Sequence, residues 1–203
     1  MFGLAKYIWA ESKDAKKPFT VSVAESVTAG ALTNTISSEP GASKFFLGGI
    51  TTYSIQSKKD ILSIDIEYAE KNNFANVFTT SEMARAACKM FGSRIGMSTT
   101  GYSLPIKRDE DKELGLCALN VEHPYAYICL YDSATDHEMI KKITFTYNPK
   151  SSDRVQRASV QTRVALEGRK MYITYKESVD KRSDETAAAV VAAAADISGI
   201  NTE

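Results

Sequence analysis

Cysteine and histidine are scarce in this chain of 203 residues, which has three of the first and two of the second. Cys88, Cys117 and Cys129 are odd in number, far apart and set in apolar stretches. That pattern excludes a disulfide framework and reads as reduced core thiols. His123 and His137 have neither a second imidazole nor a close cysteine pair beside them, so no zinc ligand set is spelled out. Net charge is missing too. The 25 basic residues balance 25 acidic ones, so no overall field attracts nucleic acid or an anionic membrane. No apolar run approaches the roughly 20 residues that span a bilayer, and the opening MFGLAKYIWAESKDAKK lacks the charged-then-apolar order of a secretion signal. The expectation is a cytoplasmic protein that meets any charged ligand locally.

What is present is one good core's worth of chain with a short appendage. The expected division is a domain over residues 1–176 and an alanine-rich helical tail over 177–203. Phe2, Ala5, Ile8 and Trp9 recur at helical spacing in residues 2–16. Phe19 to Ala24 reads as a strand that runs into the polar turn Glu25 to Gly30, and a helix follows through Ile36 to the stop at Glu39-Pro40-Gly41. Phe45 to Ser54 is a second strand, with a short helix from Ser57 to Leu62. Thr79 or Thr80 is placed to cap a helix through Phe91, and Ile95 to Thr100 returns to strand before Gly101. Gly115 to Val121, Tyr125 to Asp132 and Met139 to Tyr147 are strand-like and closely spaced. A long helix starts near Ser151 or Ser152 and runs through Met171, and Ser183 caps a further, alanine-rich helix. Alternating strands and helices, then a strand cluster and a helix, predict an α/β fold: a three-layer α/β/α sandwich around a mixed sheet.

Two segments carry chemistry. Ser26 stands directly after a strand and before a helix, at the carboxyl edge of a sheet beside free backbone N–H groups. Thr28 and Gly30 add a hydroxyl and a point of close approach, and the helix N-terminus suits an oxyanion or a phosphate. Taken alone, Ser26 or Thr28 serves equally as a helix cap. The second segment is Tyr53-Ser54-Ile55-Gln56-Ser57-Lys58, which puts a phenol and an amine within one turn. A serine nucleophile needs a base, and with no histidine suitably placed a desolvated lysine is the substitute, with a tyrosine hydroxyl to relay or orient the proton. A partly buried tyrosine and a solvated lysine are the plainer reading of those two residues by themselves.

The motifs together resemble those of the C-terminal domain of the CinA proteins, whose stand-alone members are nicotinamide-nucleotide amidases. Ala24-Glu25-Ser26-Val27-Thr28-Ala29-Gly30 is similar to the family's Ala-Glu-Ser-x-Thr-x-Gly. Pro40 to Gly49 follows its Pro-Gly-Ser-Ser, aromatic and glycine run. Tyr53 to Lys58 follows its Tyr-Ser-Asn-x-x-Lys, with Ile55 for the asparagine. Thr100-Gly101-Tyr102-Ser103-Leu104-Pro105 and Ser152-Asp153-Arg154 follow its Thr-Gly-x-x-Gly-Pro and Gly-Asp-Arg. The resemblance covers about residues 3 to 172. It implies that Ser26 attacks the carboxamide of nicotinamide mononucleotide, that Lys58 takes and returns the proton with Tyr53 in support, and that ammonia and nicotinic acid mononucleotide leave, with no metal and no bound cofactor required. It implies further that Thr28, Gly30, Thr100, Gly101 and Arg154 contact the pyridine nucleotide, and that the protein is a homodimer. The loop from Tyr102 to Glu113 departs furthest from the family. An amidase for another small carboxamide, or a non-catalytic nucleotide-binding relative, are the alternatives. Ser178-Val179-Asp180-Lys181 matches a Ser-x-x-Lys pattern without its companion motifs, and the basic helix from Arg154 reads as a solvated face rather than a nucleic-acid site.

Overall fold

The computed structural model describes residues 19–71, 73–106 and 121–198. Among the described residues five strands form one sheet in the order β2-β1-β3-β4-β5: β1 (Val21–Glu25), β2 (Phe46–Thr51), β3 (Ile95–Tyr102), β4 (Tyr125–Asp132) and β5 (His137–Thr144). The first three are parallel, and β4 and β5 are antiparallel additions. The sheet is therefore mixed, as expected. Every residue of β1 is buried, because a central parallel strand is covered on both faces. The helices are α1 (Ala31–Ser37), α2 (Ile55–Leu62), α3 (Ile66–Lys71), α4 (Val77–Phe91) and α5 (Asp153–Ser198).

Side-chain alternation along the strands sorts the helices into two layers. Val21, Val23, Ile95, Met97, Ile128 and Leu130 point to the face packed by Leu32 and Ile36 of α1 and by Val160, Val164 and Tyr172 of α5. Ala24 points to the other face, where it meets Leu62 of α2 and Met83 and Ala87 of α4. Each fully buried aliphatic side chain contributes about 1.5–3 kcal/mol, so these two clusters carry the fold. Gly96 allows α4 to lie directly on β3, since a Cβ there would come 2.0 Å from the carbonyl oxygen of Ala84.

Several element ends differ from the sequence reading. The cap of α4 is Asn76, whose side chain accepts the Thr79 N–H at 2.9 Å, and not Thr79 or Thr80, which lie inside the helix. Ser54 caps α2 by accepting from Ser57 N–H, which starts that helix at Ile55 instead of Ser57. Helix α3 was not anticipated. Ser183 opens no new helix: α5 runs for 46 residues without a break, about 69 Å at 1.5 Å per residue. No proline or glycine interrupts residues 177–186, and Thr186 turns its hydroxyl back to the Arg182 carbonyl within the helix. The expected helix over residues 2–16 lies outside the described residues. So does the expected strand from Gly115, except Val121, which forms a bridge with Ile106. No described helix is long and apolar enough to cross a membrane.

Candidate active site

Because β1, β2 and β3 are parallel, the chain leaves all three at one edge of the sheet. Glu25 is in register with Thr51 on one side and Thr99 on the other. The next residues continue that register, with Thr52 N–H donating to the Glu25 carbonyl at 2.8 Å and Ser26 N–H donating to the Thr99 carbonyl at 2.9 Å. Thr52, Ser26 and Thr100 thus form a row of hydroxyl-bearing residues across the edge, with Ser26 in the middle.

Lys58 is delivered to this row by α2. Leu62, one helical turn further on, is buried in the core, and that anchor puts Lys58 on the same inward face. Its Nζ donates to Ser26 Oγ at 2.9 Å, to the Thr52 carbonyl at 2.7 Å and to the Tyr53 carbonyl at 3.4 Å. Ser26 is 8% exposed and Lys58 4%. Burial pushes the Lys58 pKa down from 10.5 to about 8, because taking an ammonium out of water disfavours its charged form. About a tenth of the amine is then neutral at pH 7, enough to accept the Ser26 proton while two N–H bonds hold to the carbonyls. The structure joins the residues of the proposed nucleophile and base across 32 positions of sequence.

Tyr53 is placed differently from its expected proton-relay role. Its phenol oxygen accepts from Arg157 Nη1 at 3.4 Å, and the residue is 57% exposed, while its carbonyl is the atom that reaches Lys58. Thr28 Oγ1 lies 2.5 Å from Thr99 Oγ1, which ties the turn to β3. Gly30 takes φ of 101° at the start of α1, where glycine avoids the strain of a Cβ. A Cβ on Gly101 would come 2.2 Å from the Tyr125 carbonyl, so that glycine serves the packing of β3 on β4. Thr100 is buried beside Ser26. Arg154 is exposed in the first turn of α5. One turn later, Arg157 reaches the site's surroundings, donating to Ser103 Oγ at 3.3 Å and to Tyr53.

The α1 N-terminus, expected to receive an oxyanion or phosphate, is already filled. Glu25, fully buried, accepts the N–H groups of Gly30 and Leu32 at 3.0 Å and of Thr33 at 2.7 Å. A carboxylate on these donors satisfies the helix start and its positive end together. Ala29 and Ala31 N–H are taken by the carbonyls of Ser26 and Thr28. Among the described residues, Val27 and Thr28 N–H have no such acceptor, and they follow Ser26 directly. Glu25→Gln, which presents an amide NH₂ to at least one of these donors, is expected to cost about 2–4 kcal/mol of unfolding free energy. Urea denaturation measures it.

Glu25 and Arg157 are the residues that sequence reasoning missed. Glu25 stands inside the motif quoted for Ser26, but its cap bonds span five to eight positions, beyond the usual capping spacing. Arg157 follows Arg154 at i+3 and so shares its helix face, which was the available signal. Tyr102, expected to open the divergent loop, is the last residue of β3; it donates to Asn73 Oδ1, and Asn73 donates to the Tyr125 hydroxyl. That links the segment before α4 to β3 and β4. Among the described residues no three His, Cys, Asp or Glu side chains are grouped as for a metal ion.

The CinA C-terminal domain family matches residues 5–148. A CinA-like protein of Trichodesmium erythraeum is 29% identical over 156 residues, which are 76% of this chain and 34% of that protein. The chain spans about a third or less of the length of the curated relatives it matches. Among solved structures, competence damage-inducible protein A from Klebsiella pneumoniae superposes with a TM-score of 0.59 at 16% identity, covering 80% of this chain and 87% of that one. A CinA superfamily protein from Escherichia coli gives 0.58 at 19% identity, over 74% and 78%. These superpositions share the α/β architecture described above.

Proposed function

We propose, from the premise that this chain belongs to the CinA C-terminal domain family, that it is a serine–lysine amidohydrolase acting on the carboxamide of nicotinamide mononucleotide. The observation that carries the reading is the 2.9 Å contact between Lys58 Nζ and Ser26 Oγ inside a buried site. A lysine is rarely buried without a charged partner. Here its companions are one hydroxyl and two carbonyls, a setting that favours a neutral amine and a polarised hydroxyl.

In acylation, Ser26 Oγ bonds to the carboxamide carbon as its proton passes to Lys58. The oxygen that gains negative charge is met by the Val27 and Thr28 N–H groups. The C–N bond then breaks, the nitrogen takes the proton from Lys58, and ammonia departs. In deacylation, water gives a proton to Lys58 and bonds to the acyl carbon, and Ser26 leaves with that proton. The pyridine carboxylate is released. The nucleotide's phosphate is matched by the guanidinium groups of Arg157 and Arg154 on one face of α5, since arginine suits bidentate phosphate contact.

Ammonia release from nicotinamide mononucleotide, free nicotinamide and a panel of small carboxamides tests the reading. The mononucleotide is expected to be cut preferentially. Ser26-dependent hydrolysis of another carboxamide with the mononucleotide untouched would overturn the substrate, and nucleotide binding with no hydrolysis of any amide would overturn the enzyme.

A further inference from the structure

Four elements converge on the sheet face that carries α2 and α4, and each changes from apolar to polar at the same height. Ala24, Leu62 and Met83 share one buried cluster, with Ile50 packed against it. One step nearer the sheet's carboxyl edge is two residues on along a strand and four back along each of these helices. Helix α4 runs antiparallel to β3: Gly96 lies under the Ala84 carbonyl, and Ser98 donates its hydroxyl to the Thr80 carbonyl one turn earlier. The step therefore converts Ala24, Ile50, Leu62 and Met83 into Ser26, Thr52, Lys58 and Thr79. Ser26 and Lys58 are the reacting pair. Thr52 and Thr79 are fully buried, and their hydroxyl oxygens have no hydrogen-bond partner. Among the described residues only one other buried side-chain oxygen shares that condition, on Ser133 in the β4–β5 turn. An unpaired buried hydroxyl is destabilising, so two in the layer of the nucleophile point to a ligand that pairs them.

We propose that the hydroxyls of Thr52 and Thr79 form the subsite for the small polar molecule that the reaction exchanges, ammonia on its way out and water on its way in. The inference rests on the serine–lysine reading. Ammonia and water are of similar size, occupy the same position on the acyl carbon in turn, and each exchanges one proton with Lys58. A threonine hydroxyl can accept a bond from N–H or O–H and donate one to a lone pair, while staying neutral and leaving the proton to Lys58. Thr52 and Thr79 orient the water whose oxygen forms the new C–O bond, and the Ser26 C–O bond breaks as Ser26 recovers the proton.

The test uses p-nitrophenyl acetate with the full chain, because its nitrophenolate burst reports acylation of Ser26 and its steady state reports deacylation. Thr52→Val and Thr79→Val are expected to keep the burst rate within about threefold and to slow the steady state about 10- to 100-fold, with acetylated Ser26 accumulating by intact mass. Thr79→Ser, which restores the hydroxyl, is expected to recover the steady state. The thermal midpoint of the valine variants stays level or rises, because an unpaired hydroxyl has been replaced by a methyl group. Hydroxylamine, close to ammonia in size, is expected to intercept the acyl-enzyme of the wild type and to do so less in the valine variants. A normal burst with an unchanged steady state in both variants overturns the inference alone. Failure of the wild type to acetylate Ser26 overturns the serine–lysine reading and the inference with it.

Discussion

Lys58→Met lowers turnover about 10³-fold, the loss typical of removing a general base, while the protein folds at least as stably at neutral pH. The methionine keeps an unbranched apolar stem above Leu62 and deletes only the proton acceptor. The stability half of this result follows from burial. With the folded-state pKa at about 8 and the ordinary value at 10.5, carrying a charged Lys58 into the fold costs about 3 kcal/mol. Below pH 8 the folded and unfolded chains both hold the proton, and the full cost applies. Between pH 8 and 10.5 the folded chain has released it and the unfolded chain has not, so stability rises with pH as the cost is relieved. Above 10.5 it is gone. Urea unfolding of wild type and Lys58→Met across this range should show the difference shrinking as pH rises, because every other titrating group is shared. A methionine variant with wild-type turnover would remove Lys58 from the chemistry.

Ser26→Ala has the largest expected effect, a loss of about 10⁵-fold or more that leaves only background release, since a nucleophile has no substitute within the layer. The backbone bond from Ser26 N–H to the Thr99 carbonyl survives the change, and Lys58 retains its two carbonyl partners. The turn should therefore persist and nucleotide binding should persist with it. Ammonia release and calorimetric binding, measured on the same preparation, separate the two properties. Residual hydrolysis within tenfold of wild type would mean that water is activated directly and that no acyl-enzyme forms.

The parts of the fold visible in the sequence are those written in local pattern. The strand-like composition of Tyr125–Asp132 marked β4 with its observed bounds, and the strand–turn–helix around Ser26 marked the edge that holds the candidate site. Long-range pairing was not visible in the same way. The contact of Ser26 with Lys58 depends on the parallel register of β1 and β2 and on Leu62 anchoring α2, neither of which a local window contains. The motif order supplied that pairing instead. At Tyr53 the motif brings two groups into play, because the carbonyl reaches Lys58 while the phenol meets Arg157. Glu25, a buried acid in a strand, looks anomalous until the three N–H groups of the next helix are seen around it. Asn76, Thr79 and Thr80, three polar residues in five positions, offer the same local cap signal, and only the extended backbone of Asn76 decides among them.

The pH dependence of Ser26 acylation tests the central claim most directly. With p-nitrophenyl acetate and wild-type protein, the burst rate should climb about tenfold per pH unit below pH 8, bend at about pH 8 where Lys58 loses its proton, and level off above it. The Lys58→Met protein should show neither the climb nor the bend. A wild-type rate independent of pH from 6 to 10, or an identical profile in the methionine variant, would contradict a neutral Lys58 as the base that activates Ser26.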